Sequence, residues 1–243
     1  MDDYSHSPPT PGSIAAIIPA AGSGSRFGSQ RNKLFATLAD RPLWYHSASR
    51  LRQQSLIGRI VMAVSASDRA IFQSEFADLV AELNIELVDG GAERTDSVRS
   101  GLDTVGGDSS VRFVAVHDAA RPIVSDSDLA AVFATATQTG AALLATPVAG
   151  TVKRDCDQAM SSKTVDRRNL WIALTPQVFR IDLLTEAYEK YRGRPATDDA
   201  ELVERIGHRV SLVRGSADNL KITHPEDLMI AAAILQRRQN EHA

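Results

Sequence analysis

The chain is short of several things, and each shortage closes off a class of protein. It has one cysteine, Cys156, in 243 residues, so no internal disulfide can staple it. It also has no Asn-x-Ser/Thr acceptor, and both facts fit a reducing compartment. Aromatic residues make up 5%, which leaves few platforms for stacking unpaired bases. Positive charge is not in excess: 27 Lys and Arg face 30 Asp and Glu, for a formal net charge of −3, which argues against nucleic acid as the main partner. Apolar runs are short. The stretch from Ile14 to Ala21 falls well below the roughly 18 residues that span a bilayer, so no membrane partner is expected. The opening MDDYSHSPPTPGS is acidic and rich in Ser and Pro, unlike a secretory or transit signal. The expectation is a cytoplasmic protein with a disordered tail over residues 1–13.

What is present is an ordinary globular composition, 43% hydrophobic and 23% charged, enough for a single α/β domain over residues 14–243. Short β-branched runs at Ile14–Ile18, Arg59–Val64, Ile85–Val88, Val111–Val116, Ala141–Val148 and Arg209–Val213 have the pattern of strands. Between and after them, Pro42–Gln54, Ser67–Leu83, Thr95–Val105, Ser125–Thr139, Ile181–Arg192, Asp198–Gly207 and Pro225–Arg238 carry helical apolar spacing. Nearly continuous apolar strands separated by helices predict a doubly wound, mostly parallel, Rossmann-like sheet covered on both faces. From about 148 to 177 the alternation fails. Two polar-apolar stretches flank a Ser/Asp-rich middle, which predicts a β-hairpin arm. An isolated hairpin is marginal in water, so the arm packs either on a second subunit, giving a homodimer, or back over its own domain.

In such sheets ligands sit at the carboxyl ends of the strands. The first strand runs into Pro19-Ala20-Ala21-Gly22-Ser23-Gly24-Ser25-Arg26-Phe27-Gly28, whose small residues let a ligand approach the backbone. The glycines do not fit G-x-G-x-x-G, and no Lys-Ser/Thr follows Gly28, so dinucleotide and Walker loops are disfavoured. Arg26 and Lys33 add the charge that a polyphosphate needs before a nucleophile can approach phosphorus; a solvated turn is the alternative. After the third strand come Asp89-Gly90-Gly91-Ala92-Glu93-Arg94-Thr95-Asp96-Ser97, a flat-ligand contact or a plain helix-capping turn. After the fourth comes His117-Asp118-Ala119-Ala120-Arg121-Pro122. An Asp at the end of a buried strand is costly unless it binds something, such as Mg²⁺ beside phosphates, or pairs with Arg121. His117 has no zinc-type companion.

PAAGSGSRFG with Lys33, DGGAERTDSV, VHDAARP, TVDRRNLWIALTPQ, TDDAELVE and DNLKITHPEDL, in this order, resemble the 2-C-methyl-D-erythritol 4-phosphate cytidylyltransferase family of the non-mevalonate isoprenoid pathway. The resemblance spans about residues 14 to 235. It implies a glycosyltransferase-A-like nucleotidyltransferase fold with an arm exchanged across a homodimer, CTP and a polyol phosphate as substrates, and Mg²⁺ or another divalent cation as cofactor. It further implies that Ala20, Ala21 and Gly22 meet cytidine and phosphate, and that Gly91, Ala92 and Ser97 meet the cytosine. Asp118 and Ala119 would lie near metal and ribose, with Asp118 as the metal ligand. Arg26, Lys33, Arg167 and Lys221 form the implied catalytic set; Arg167 and Thr151 would reach the acceptor from the partner's arm, with Thr175, Thr197 and Lys221 completing that side, and Arg121 is a further substrate-binding residue. Three positions depart from the family's pattern: Ala92 replaces a frequent acid, Asn32 a Pro, and Leu34 a Gln. Arg168 beside Arg167 leaves two arginines for one role. The alternatives are a cytidylyltransferase for another polyol phosphate, such as ribitol 5-phosphate, or a non-catalytic nucleotide-binding regulator.

Overall fold

The first strand, β1 (Ile14–Pro19), sends alternate residues to opposite faces, as strand geometry requires. Ile14, Ala16 and Ile18 enter one apolar cluster and Ala15 and Ile17 the other. The computed structural model describes residues 9–22, 31–156, 158 and 160–241. After β1 a 3₁₀ turn at Lys33–Phe35 and a small pair, β2 (Thr37–Leu38) and β3 (Arg41–Pro42), lead to α1 (Leu43–Arg52). Then follow β4 (Ile57–Val64), α2 (Ala66–Ser74), α3 (Ala77–Glu82), β5 (Ile85–Asp89), α4 (Arg94–Val105), β6 (Phe113–Val116), α5 (Asp126–Thr139) and β7 (Ala141–Pro147). The chain continues through β8 (Val152–Asp155), β9 (Ser162–Val165), β10 (Trp171–Arg180), α6 (Ile181–Lys190), α7 (Asp199–Arg205), β11 (Ser211–Arg214) and α8 (Glu226–Glu241).

Seven strands form one sheet in the order β11-β7-β10-β6-β1-β4-β5. β1 pairs in parallel with β4 on one side and β6 on the other, so the strand order reverses beside β1 and opens a crevice at its carboxyl end. One face is covered by Trp44 and Leu51 of α1, Phe72 of α2 and Leu129 and Phe133 of α5. The other is covered by Val98 and Leu102 of α4, Leu184 of α6 and Val203 of α7. The expected mostly parallel, doubly wound sheet is thus present.

Three expectations need correction. The helix expected over Ser67–Leu83 is two helices, because at Phe76 (φ −114°, ψ 16°) the backbone leaves the helix. The Phe76 ring stacks on Phe35 with centroids 5.3 Å apart and meets Trp44 at 5.9 Å. The arm does not run to Gln177: β10 is a ten-residue strand of the main sheet, antiparallel to both β6 and β7. Pro176 obscures this in the sequence, since proline usually marks an edge or a bulge; it sits where the β10–β7 register shifts, between Ala173 and Gln177. Finally, residues 10–13 of the disordered tail expected over 1–13 are ordered, and residues 1–8 lie outside the described residues. Ser13 N–H donates to Thr10 O and Gly12 N–H to Ser55 O, and Ser13 is buried.

The hairpin itself is β8 paired with β9, Val152 opposite Val165 through Asp155 opposite Ser162. It forms its own two-stranded sheet, and its described residues are almost all exposed.

Candidate active site

At the reversal point lies a cavity of about 360 Å³, within the size range of small-molecule sites. Its floor is the end of β1: Ala20, Ala21 and Gly22 line it. The start of α4 closes one wall with Gly91, Ala92 and Ser97, and Asp118 and Ala119 beyond β6 close another. Lys33 and Lys221 project into the same space. Ten of the residues singled out in the sequence therefore meet in one cavity, although they are scattered over two hundred positions. Arg26 lies outside the described residues.

Close approach of two loops explains one glycine. A side chain at Gly90 would come within 2.4 Å of Ala21 Cβ and 2.9 Å of Ser97 Oγ, so the loops after β1 and β5 can touch only with glycine there. α4 is capped by Asp96, whose Oδ2 accepts the Glu93 N–H at 3.0 Å. Ser97 is therefore not needed as a cap; buried, its hydroxyl reaches only the Glu93 carbonyl at 3.4 Å.

Asn32, the departure beside Lys33, has work of its own. Its Oδ1 accepts the Leu34 N–H at 3.1 Å, and its amide donates to Asp68 Oδ2 at 2.8 Å and to Gly22 O at 3.3 Å. These bonds hold the Lys33 turn against the end of β1. Lys33 Nζ donates to Ile222 O at 2.7 Å, which ties it to the segment carrying Lys221. That segment is anchored further: Ile222 N–H donates to Ala120 O at 2.8 Å, Asn219 Nδ2 to Thr175 O at 2.9 Å, and Arg121 Nη1 to Asn219 O at 2.8 Å.

The centre of the charge is Asp118. Lys221 Nζ lies 2.8 Å from its Oδ2, Arg121 Nε 3.6 Å from the same oxygen, and Arg94 Nε 3.3 Å from Oδ1. Burial would raise the Asp118 pKa, but Arg94, Lys221 and Arg121 override it and hold the group ionised well below the ordinary carboxylate range. Arg121 is therefore a support of Asp118 in this structure, and its own pKa is lowered by burial. Beneath Asp118 runs a chain of hydrogen bonds. His117 Nε2 lies 3.1 Å from Arg121 O, a group that only accepts, so Nε2 carries the proton and Nδ1 accepts from Thr175 Oγ1 at 3.1 Å. The same Thr175 oxygen accepts the Asp118 N–H at 3.0 Å. Burial pushes the His117 pKa down to about 4, consistent with a neutral ring.

Thr175 is buried beneath Asp118 and is not among the cavity-lining residues. Thr197 is exposed, with its N–H on Glu201 Oε2 at 2.7 Å. Thr151 and Arg167 are exposed in and near the arm, outside the lining of the cavity. Arg167 donates to Ala149 O, whereas Arg168 is closed on Asp166 at 2.5 Å. Two residues that sequence reasoning missed are Arg94, which lines the cavity, and Asp199. Arg94 opens α4, where the helix dipole disfavours a cation; that misfit was a legible signal. Asp198 caps α7 by accepting the Glu201 N–H, which leaves the neighbouring Asp199 without a capping task.

Among the described residues no group of three or more His, Cys, Asp or Glu could hold a metal ion. One buried carboxylate beside a cavity large enough for a triphosphate is, however, the donor set on which Mg²⁺ usually depends, with phosphate oxygens and water supplying the remaining ligands.

A mostly parallel sheet with a small-residue loop at its reversal point, and two lysines lining one cavity with the buried Asp118, has the architecture of an α/β nucleotidyltransferase. The family model for 2-C-methyl-D-erythritol 4-phosphate cytidylyltransferase matches residues 14–237. A protein of that name from Rhodopirellula baltica is 52% identical over 238 residues, covering 94% of this chain and 97% of that protein. One from Desulforamulus reducens is 41% identical, covering 93% and 97%. The crystal structure of the Thermus thermophilus enzyme superposes with a TM-score of 0.76 at 32% identity, covering 92% and 98%. That of the Anaerococcus prevotii 4-diphosphocytidyl-2C-methyl-D-erythritol synthase gives 0.78 at 30%, with the same coverage. The chain belongs to the 2-C-methyl-D-erythritol 4-phosphate cytidylyltransferase family.

Proposed function

We propose that the chain joins CTP to 2-C-methyl-D-erythritol 4-phosphate, releasing pyrophosphate, and that the cavity residues divide the work as follows. A phosphate oxygen of the acceptor attacks the α-phosphorus of CTP; the new P–O bond forms as the bond to the β-phosphate oxygen breaks and pyrophosphate leaves. No covalent enzyme intermediate is needed, so catalysis is positioning plus neutralisation of charge that grows in the transition state. Backbone groups of Ala20, Ala21 and Gly22 hold the nucleotide's phosphates, and Gly91, Ala92 and Ser97 face the base. Asp118 and Ala119 face the ribose. Lys33 and Lys221 stabilise the pentacovalent phosphorus, as does Arg26 on the sequence reading. Asp118 would hold Mg²⁺ together with phosphate oxygens, and that ion would supply further neutralisation of the triphosphate.

The observation that carries this reading is the convergence of Lys33 and Lys221 on a cavity floored by Ala20–Gly22, with Lys221 2.8 Å from Asp118. The acceptor side is completed by a second copy. The β8–β9 arm, with Thr151 and Arg167 beside it, is almost wholly exposed among the described residues and pairs with no strand of the main sheet, and such a hairpin needs packing. Thr197 completes that side within the chain, while Thr175 and Arg121 support Asp118 from below. No helix among the described residues is long and apolar enough to cross a membrane.

Pyrophosphate release with CTP and Mg²⁺ across a panel of polyol phosphates tests the assignment. The highest kcat/KM is expected for 2-C-methyl-D-erythritol 4-phosphate. Preference for ribitol 5-phosphate would move the acceptor, and no release with any acceptor would leave a nucleotide-binding regulator.

A further inference from the structure

We infer that Asp199 is a positioning residue for the transfer, holding Arg94 between two carboxylates so that Asp118 keeps part of its negative charge for the cavity; the inference rests on the cytidylyltransferase reading. Asp199 is fully buried at the first residue of α7. Its Oδ2 lies 2.8 Å from Arg94 Nη2, and its Oδ1 accepts the Tyr188 hydroxyl at 2.5 Å. Tyr188 is in turn fixed from α4, because Arg99 donates to its carbonyl at 2.6 Å and lies 5.4 Å from its ring centre. Arg94 thus presents one edge to Asp199 and its Nε to Asp118 Oδ1 at 3.3 Å. Burial alone would lower the Arg94 pKa; the Asp199 and Asp118 carboxylates more than reverse this.

Stability does not account for the arrangement. Arg94 Nη1 is buried with no hydrogen-bond partner, and Asp199 Oδ2 meets Nη2 as a close ion pair without hydrogen-bond geometry; buried unmade bonds are a cost. Buried ion pairs are in any case often no better than apolar packing. What the clamp does is geometric. A guanidinium released from Asp199 would turn its fork onto Asp118 and pair with both oxygens. Lys221 would then lose its hold on Oδ2, and the buried carboxylate that lines the cavity would be neutralised from behind. Asp199 prevents this by taking the outer edge of Arg94.

The test is Asp199→Asn, a near-isosteric loss of charge. Steady-state pyrophosphate release is measured together with calorimetric CTP binding in the absence of divalent ions and the melting temperature. The expected result is a kcat lowered about 10- to 100-fold, the range for losing a partner that orients an active-site ligand, with the CTP dissociation constant unchanged. A wild-type kcat would overturn the inference. So would a parallel fall of kcat, CTP affinity and Tm that recovers on cooling, since that is the signature of a structural role. If D199N does not fold, Tyr188→Phe decides. It removes only the bond to Oδ1 and should lower kcat several-fold at unchanged CTP affinity; an unchanged kcat would overturn the inference. Wild-type protein run alongside separates the two readings, because its failure to release pyrophosphate would count against the proposed reaction itself.

Discussion

The cavity end of the sheet and the β8–β9 arm are built on opposite terms. Around Asp118, three cations, a buried histidine and a threonine hydroxyl fix one carboxylate from every side. In the arm, strands four residues long pair only with each other, and nearly every described side chain is exposed. The half of the site proposed for the nucleotide is therefore pre-organised within one chain, where binding costs little reordering. The acceptor half, as proposed, is finished only when a second chain lends its arm. Chemistry should then fail most completely at the rigid end, and exchange between chains should be visible only at the arm.

The largest effect is expected at the two lysines. Lys33→Ala and Lys221→Met should each lower kcat about 100- to 1000-fold, the usual cost of removing a group that meets charge developing in the transition state. CTP affinity should fall much less, because the glycine loops remain. Single-turnover pyrophosphate release beside equilibrium CTP binding measures both. Turnover unchanged in Lys33→Ala would remove that lysine from the mechanism.

Stability against acid separates the two regions next. His117, neutral when buried, has its folded pKa depressed from 6.5 to about 4. Between those values the unfolded chain binds more protons than the folded one, so stability is full above pH 6.5 and declines as the pH falls toward 4. The loss between pH 7 and 4 should be about 3 kcal/mol, measured by urea unfolding of metal-free protein. Asp118 acts in the same direction at lower pH: its folded pKa is depressed, so its contribution is present above the unfolded value and lost as the pH falls further. His117→Gln should abolish the upper part of this decline. Replacing the arm from 152 to 165 by a short Gly/Ser turn should leave it untouched.

How much of this could be read from the residues differs between the same two regions. The sheet announced itself through runs such as Ile14–Ile18 and Val111–Val116, because strands buried on both faces must be apolar throughout. The cavity's small-residue lining at Ala20–Gly22 and Gly91–Ala92 followed from where small residues fall after those strands. β10 was hidden because Pro176, Thr175 and Gln177 interrupt its pattern, and their polar groups serve the site: Thr175 holds Asp118, while Gln177 donates to Asp198 and accepts from Ala200. Asp199 was hidden for a related reason. A carboxylate beside a capping Asp looks like solvated helix start until the fold brings it onto Arg94, a long-range contact that no local spacing encodes. The arm was visible as a failure of alternation, but what covers it is a property of two chains.

Arg167 and Lys33 allow that last point to be broken. Arg167→Ala should raise the acceptor KM about 10-fold or more while leaving CTP binding intact, and Arg168→Ala, whose guanidinium is already closed on Asp166, should do far less. If each cavity uses its partner's arm, a mixed dimer of Lys33→Ala with Arg167→Ala chains carries one doubly damaged site and one intact site. Random re-pairing makes half the dimers mixed, so activity should recover to about a quarter of wild type. No recovery on mixing, with hybrid dimers demonstrated, would mean that arm and cavity of the same chain work together.

The smallest effect concerns the turn before Lys33. Asn32→Ala removes three hydrogen bonds, to Leu34, Asp68 and Gly22, all partly exposed, and should cost about 1 kcal/mol. Because these bonds hold the Lys33 turn to the phosphate loop, CTP KM should rise about 3- to 5-fold while kcat changes little. The backbone at Asn32 has φ −54°, an angle proline adopts without strain. Asn32→Pro should therefore recover part of the loss by restricting the unfolded chain, about 0.4–1 kcal/mol, without restoring a single one of the bonds. A proline variant less stable than the alanine one would show that the folded turn does not accept the proline ring at this position, whatever its φ.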